Sequence, residues 1–187
     1  MRSGLIALMG AVLFGTPALA QEQTLVSGGL ESGGFGAPVV RFSQVNGQFA
    51  VLAGGRGGWI INHTFVIGAA GYGVATDVQV AGNPNRRGLE FGYGGVDLEV
   101  VIGSDALIHA TAQALIGGGA FVLNYGGPTD GVFVFEPGLN VDLNVTPFMR
   151  LGLGGGYRWV TDVDLIGFSD SDFSSFFGSV VLKFGSF

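Results

Sequence analysis

Residues 132–145 read VFVFEPGLNVDLNV. Phe133, Phe135, Pro137, Leu139, Val141, Leu143 and Val145 fall on one parity, and Val134, Glu136, Gly138, Asn140, Asp142 and Asn144 on the other. Successive side chains of a β-strand point to opposite faces, so this alternation predicts a strand with one greasy and one polar face. Thr146-Pro147 then supplies a turn, and the pattern resumes beyond it. Met149, Leu151, Leu153, Tyr157 and Trp159 oppose Arg150, Gly152, Gly154, Gly156 and Arg158.

The same reading extends toward the N-terminus. Ile108, Ala110, Ala112, Ala114 and Ile116 oppose His109, Thr111 and Gln113, and Val96, Leu98, Val100 and Ile102 oppose Asp97 and Glu99. Phe49, Val51, Trp59 and Ile61 oppose Arg56, and Val40 and Phe42 oppose Arg41. Phe91 and Tyr93 lie on the other apolar parity from Val96 and Leu98, which predicts a bulge at Gly94-Gly95. Between residues 64 and 75 both parities are apolar or small and no face stands out.

These segments make about eight strands, starting near Gly34, Gln48, Thr64, Gly88, Ala106, Gly131, Phe148 and Phe173. Short connections at Asn62-His63, Gly103-Ser104-Asp105 and Thr146-Pro147 alternate with longer polar ones at 76–87, 124–130 and 161–172, while Val45-Asn46-Gly47 is a compact turn on the long-loop side. The expected fold is all-β, a closed antiparallel eight-stranded transmembrane up-and-down β-barrel over residues 34–187, preceded by a short segment at 21–33.

The sparse polar face decides between lipid and an apolar core as the neighbour of the greasy one. A soluble barrel carries dense charge outside. Here the polar parity holds Gly, Asn, Thr and Gln with isolated charges, which suits a narrow interior. Arg41, Arg56, Arg150 and Arg158 are expected to pair there with Asp97, Glu99, Glu136 and Asp142, joined by His109 and Gln113, because buried charges require partners. Such a network plugs the barrel. Tyr157 and Trp159 at the loop-side end and Phe148 at the turn-side end fit interfacial aromatic girdles.

Residues 1–20 read as a secretory leader: Arg2, an apolar run from Leu5 to Phe14, a break at Thr16-Pro17, and Ala18-Leu19-Ala20 before the cleavage point. An apolar run of about ten residues is too short for a helical span, which needs about twenty. The whole chain carries 8 Lys and Arg against 14 Asp and Glu, and loss of Arg2 takes its formal charge from −6 to −7. With no basic stripe, nucleic acid is not an expected partner. With no cysteine, disulfides and a lipid-modified leader cysteine are excluded.

In this pattern the chain resembles the small outer-membrane β-barrels of the OmpA and OmpX type, over nearly all of its mature length. Val180, Leu182 and Phe184 alternate as in the closing strand of such proteins, and Phe187 stands as a final aromatic on the opposite parity. The resemblance implies residence in the outer membrane, contact with its lipid and lipopolysaccharide, delivery by the barrel-assembly machinery, monomeric or weakly oligomeric behaviour, and a role in envelope integrity or surface contact.

Motifs for chemistry are few, and no cofactor or catalytic residue is expected. His109-Ala110-Thr111 is similar to the His-x-Ser arrangement of outer-membrane lipid A deacylases, with threonine in place of serine; an interior hydrogen-bonding histidine is the favoured reading. Asp162, Asp164, Asp170 and Asp172 could hold a hard cation but lack EF-hand spacing. Arg86-Arg87 could meet lipopolysaccharide phosphates. The glycine runs at 54–58 and 117–119 lack the Lys-Ser/Thr ending of a phosphate loop. The open functional classes are a structural or interaction role, a lipid-modifying enzyme, and a narrow pore or small-ligand carrier. Intact-mass measurement of the protein recovered from envelopes is expected to place its N-terminus at Gln21; a retained leader would contradict the export reading.

Overall fold

The computed structural model describes residues 31–78, 89–123, 129–164 and 167–187. The expected leader and Arg86-Arg87 lie outside them. The elements are β1 (Ser32–Val45), β2 (Gln48–Ile61), β3 (Phe65–Val74), β4 (Leu89–Ile102), β5 (Ile108–Leu123), β6 (Thr129–Thr146), β7 (Met149–Thr161), a one-turn helix α1 (Asp170–Phe173) and β8 (Ser175–Ser186). Each strand pairs antiparallel with the next, and β8 returns to pair antiparallel with β1, closing the barrel. An even strand number makes this possible, because only then does the last strand run opposite to the first.

Side-chain parity sets the two surfaces. Along β1, odd residues from Phe35 to Val45 are buried and even residues from Gly34 to Gln44 are exposed without interruption. The outside is apolar on every wall: Phe42, Trp59, Ile67, Leu98, Ile108, Leu139, Leu153, Phe176 and Leu182 are all exposed, Leu139 at 68% and Phe176 at 77%. So much greasy surface would not stay dispersed in water. Aromatic rings gather toward the loop side, where Tyr157 packs edge-on against Trp159 at 4.6 Å and Phe176 at 4.8 Å, and Phe135 stacks on Trp159 at 5.8 Å.

Three local expectations change. Pairing runs unbroken through Gly94 and Gly95 to both neighbouring strands, so β4 has no bulge there. Phe91 and Tyr93 simply point inward, on the same parity as Asp97 and Glu99, because the loop-side interior is lined by aromatic rings rather than charge. In β3, Phe65, Ile67 and Ala69 face out while Val66, Ala70 and Tyr72 face in. Phe173 does not open β8; it ends α1, whose start is held by Asp172 accepting hydrogen bonds from the Ser169 N–H (2.8 Å) and hydroxyl (2.9 Å). The one register shift lies between β6 and β7 at Asn144–Thr146.

The tight connections use backbone that few residues tolerate. Asn46 and Gly47 have φ of 52° and 67°, and Asn62 and His63 of 50° and 53°, the positive values that a two-residue turn matched to strand twist requires. Glycine also permits close strand approach. A Cβ at Gly117 would run into the backbone of Gly94 and Gly95, whereas one at Gly73 would meet nothing within 4 Å. Gly117→Val is therefore expected to destabilise the barrel by roughly 1–3 kcal/mol, and Gly73→Val to stay within about 0.5 kcal/mol, read as urea midpoints in detergent. Equal midpoints for the two would contradict this packing account.

Candidate functional site

The barrel interior is the only place where the described residues gather polar chemistry, and it is built by the inward parity of every strand. Arg41, Arg56, Arg158 and Lys183 are buried there with Asp97, Glu99, Glu136 and Asp142. Four cations thus face four carboxylates. Burial of that many charges is tolerable only if each is paired or hydrogen-bonded in place.

Arg41, 2% exposed, reaches across the barrel from β1 to Glu136 on β6, with Nη1 donating to both carboxylate oxygens at 2.7 and 2.6 Å. Its guanidinium lies 3.6 Å from the Tyr72 ring centre and 4.3 Å from that of Phe177. Tyr93 donates its hydroxyl proton to Glu136 at 2.9 Å. Nearer the turn side, Arg56 bonds Asp97 at 2.6 Å and also contacts Glu99 and Gln113. Lys183 continues the chain, donating to Glu99 at 2.7 Å and Asp142 at 3.0 Å. Asp142 also accepts from the Thr111 hydroxyl at 3.2 Å, and His109 Nε2 lies 4.0 Å from it. Asn140 joins this end by donating to Gln113 at 3.1 Å.

Arg158 pairs with no carboxylate among the described residues. Its Nε donates to the carbonyl of Phe173 at 2.8 Å and its Nη2 to that of Gln44 at 2.9 Å, so it ties the end of α1 and the end of β1 to β7. Above it Phe173 stacks on Phe121 at 4.2 Å and meets Phe91 at 5.5 Å. The interior is therefore layered: aromatic toward the loops, ionic toward the turns.

Of the residues singled out from sequence, Arg41, Arg56, Asp97, Glu99, Gln113, Glu136 and Asp142 come together in hydrogen-bonded contact, and His109 lies at the edge of that group. Arg150 does not join them. It sits half-buried at the start of β7, in register with Lys183, and its guanidinium lies 4.0 Å from the Phe187 ring centre, an aromatic partner in place of a carboxylate. Lys183, Tyr72, Tyr93 and Asn140 belong to the network but were missed in the sequence. Lys183 had a legible signal, since it lies on the parity opposite Val180, Leu182 and Phe184.

Neither chemistry weighed for other motifs assembles. The Thr111 hydroxyl is directed at Asp142 and not at His109. In the loop, Asp130 accepts from the Asp164 N–H at 2.7 Å and Asp170 from the Val163 N–H at 3.1 Å, so these carboxylates brace the loop backbone. Among the described residues no three His, Cys, Asp or Glu side chains converge as a metal site.

No protein-family model matches the sequence, and no curated protein matches it either. Solved structures do. Neisserial surface protein A superposes with a TM-score of 0.57 at 12% identity, over 85% of this chain and 99% of that one. The N-terminal β-barrel domain of Pseudomonas aeruginosa OprF gives 0.60 at 8% identity, over 83% and 98%. The fold is that of the small outer-membrane β-barrels. The outer membrane protein OprG of Pseudomonas aeruginosa adds a TM-score of 0.51 at 7% identity, over 82% and 93%. At such identities the likeness concerns architecture alone.

The Arg41–Glu136 pair is the strongest test of the interior. Glu136→Gln leaves a buried guanidinium without its counter-charge and is expected to cost roughly 3–5 kcal/mol. Arg41→Met with Glu136→Leu should recover most of that loss, measured by urea unfolding in the same detergent. A single variant as stable as the parent would remove the pair from the account.

Proposed function

We propose that this chain resides in the outer membrane as a sealed barrel, serving a structural or interaction role in the cell envelope and not a channel or an enzyme. The observation that carries the reading is the filled interior: ion pairs and aromatic side chains occupy it from Lys183 near the turns to Phe173 beneath the loops. A passage for solutes would need that packing opened. The exterior supports the membrane assignment, because every strand turns apolar side chains outward and closure leaves no strand edge for hydrocarbon to strand unsolvated.

On this reading the apolar wall contacts lipid, the loop-side rim meets lipopolysaccharide, and the envelope's barrel-assembly machinery delivers the chain, which works as a monomer. The loop-side connection at 161–172 is acidic, with Asp162, Asp164, Asp170 and Asp172. Net negative charge there favours partners that are cationic or cation-bridged.

Fractionated envelopes should yield the protein with the outer membrane, migrating faster unheated than heated on a detergent gel. Planar bilayers containing it should stay electrically silent. Stepwise conductance would move the reading to a pore, and release of acyl chains from lipid A or phospholipid in detergent would move it to an enzyme.

A further inference from the structure

Phe184 and Phe187 end the chain on opposite parities, and the structure gives them different surroundings. Phe184 is exposed on the outer wall, opposite Gly36 of β1 and Met149 of β7. Phe187 follows β8 on the inward parity and turns beneath the barrel. Its ring stacks on Phe35 with centres 6.3 Å apart and planes 28° from parallel, and the Arg150 guanidinium lies 4.0 Å from its centre. Phe35 is itself buried inside β1 and packs 5.3 Å from the Lys183 ammonium.

We propose that Phe187 is a cork in the turn-side mouth, clamped between Phe35 and Arg150, which keeps the Glu99–Lys183–Asp142 end of the interior network out of bulk water. The void left at this place is about 10 Å³, bordered by Phe187, Arg150, Lys183, Glu99, Val101 and Ile60. That is no more room than a single water needs. Without the ring, the same border would open directly onto the rim, and the first groups met from outside would be a buried ammonium and its carboxylate. The arrangement explains why Arg150 stays outside the ion-pair network: a planar cation over an aromatic face is itself a favourable contact and costs no carboxylate. It also gives the barrel two unlike closures, α1 and its phenylalanine above, one ring and one guanidinium below.

The proposal rests on the sealed-barrel reading, and a labelling experiment separates the two. The chain contains no cysteine, so Val101→Cys places one thiol at the border of the void. Its reaction with a membrane-impermeant maleimide is followed in protein reconstituted into phospholipid vesicles, with heat-shifted gel migration reporting the fold. With Phe187 present, labelling should be slow. Phe187→Ala is expected to speed it by about tenfold, as loss of a local closure does, and Arg150→Gln by a smaller factor. Phe187→Leu, which keeps bulk but loses the stacked ring, should fall between and serves if the alanine variant does not assemble. Equal labelling rates with and without the ring, or fast labelling of Val101→Cys alone, would overturn the cork while leaving bilayer silence, and so the sealed barrel, intact. Conductance by the unaltered protein would sink the sealed barrel whatever the labelling shows.

Discussion

A backbone placed in hydrocarbon has no water to bond, so each N–H and C=O of a crossing strand must find a partner on the strand beside it. In this chain the requirement is met by the return of β8 to β1, which turns a sheet with two raw edges into a cylinder with none. Everything else in the molecule depends on that closure. It obliges each strand to alternate between an apolar outer face and an inner face that touches the other strands. It also makes the interior narrow enough that side chains alone can fill it.

Filling the interior is then a problem of charge. Long polar side chains cross the barrel easily, but each brought in unpaired would carry a large desolvation cost. The balance of Arg41, Arg56, Arg158 and Lys183 against Asp97, Glu99, Glu136 and Asp142 is the solution seen here. Arg158 shows that the partner need not be a carboxylate, since the backbone carbonyls of Phe173 and Gln44 receive its protons. Aromatic faces carry the remainder, with Tyr72 and Phe177 both against the Arg41 guanidinium.

Most of the fold was legible because period two is a one-dimensional signal: Leu139 and Asp142 announce their faces without knowledge of any neighbour. The partners inside were not legible in the same way. Arg41 and Glu136 are 95 residues apart and meet only because strand tilt and register bring β1 and β6 to the same depth, quantities that no single strand encodes. Height along the barrel was the missing coordinate elsewhere too. It puts Phe91 and Tyr93 in a layer where an inward aromatic is normal. Read one strand at a time, those two rings mimicked a change of face. In β3, where Tyr72 is the inward anchor and both parities are apolar, the strand alone had nothing to contrast.

Two prolines mark the ladders unevenly. A proline ring carries no N–H to donate. Pro38 is paired toward β2, but toward β8 the pairing lapses between Gly36–Phe184 and Val39–Val181 while the register is kept. Pro137 is paired toward β5, but toward β7 the pairing lapses between Phe135–Trp159 and Gly138–Gly156 in the same register. Both gaps fall on the flanks of the β7–β8 hairpin, whose own pairing is continuous from Met149–Phe184 to Arg158–Ser175. Under mechanical tension this hairpin is the tear-out strip of the cylinder, a unit stitched firmly down its middle and perforated along both margins.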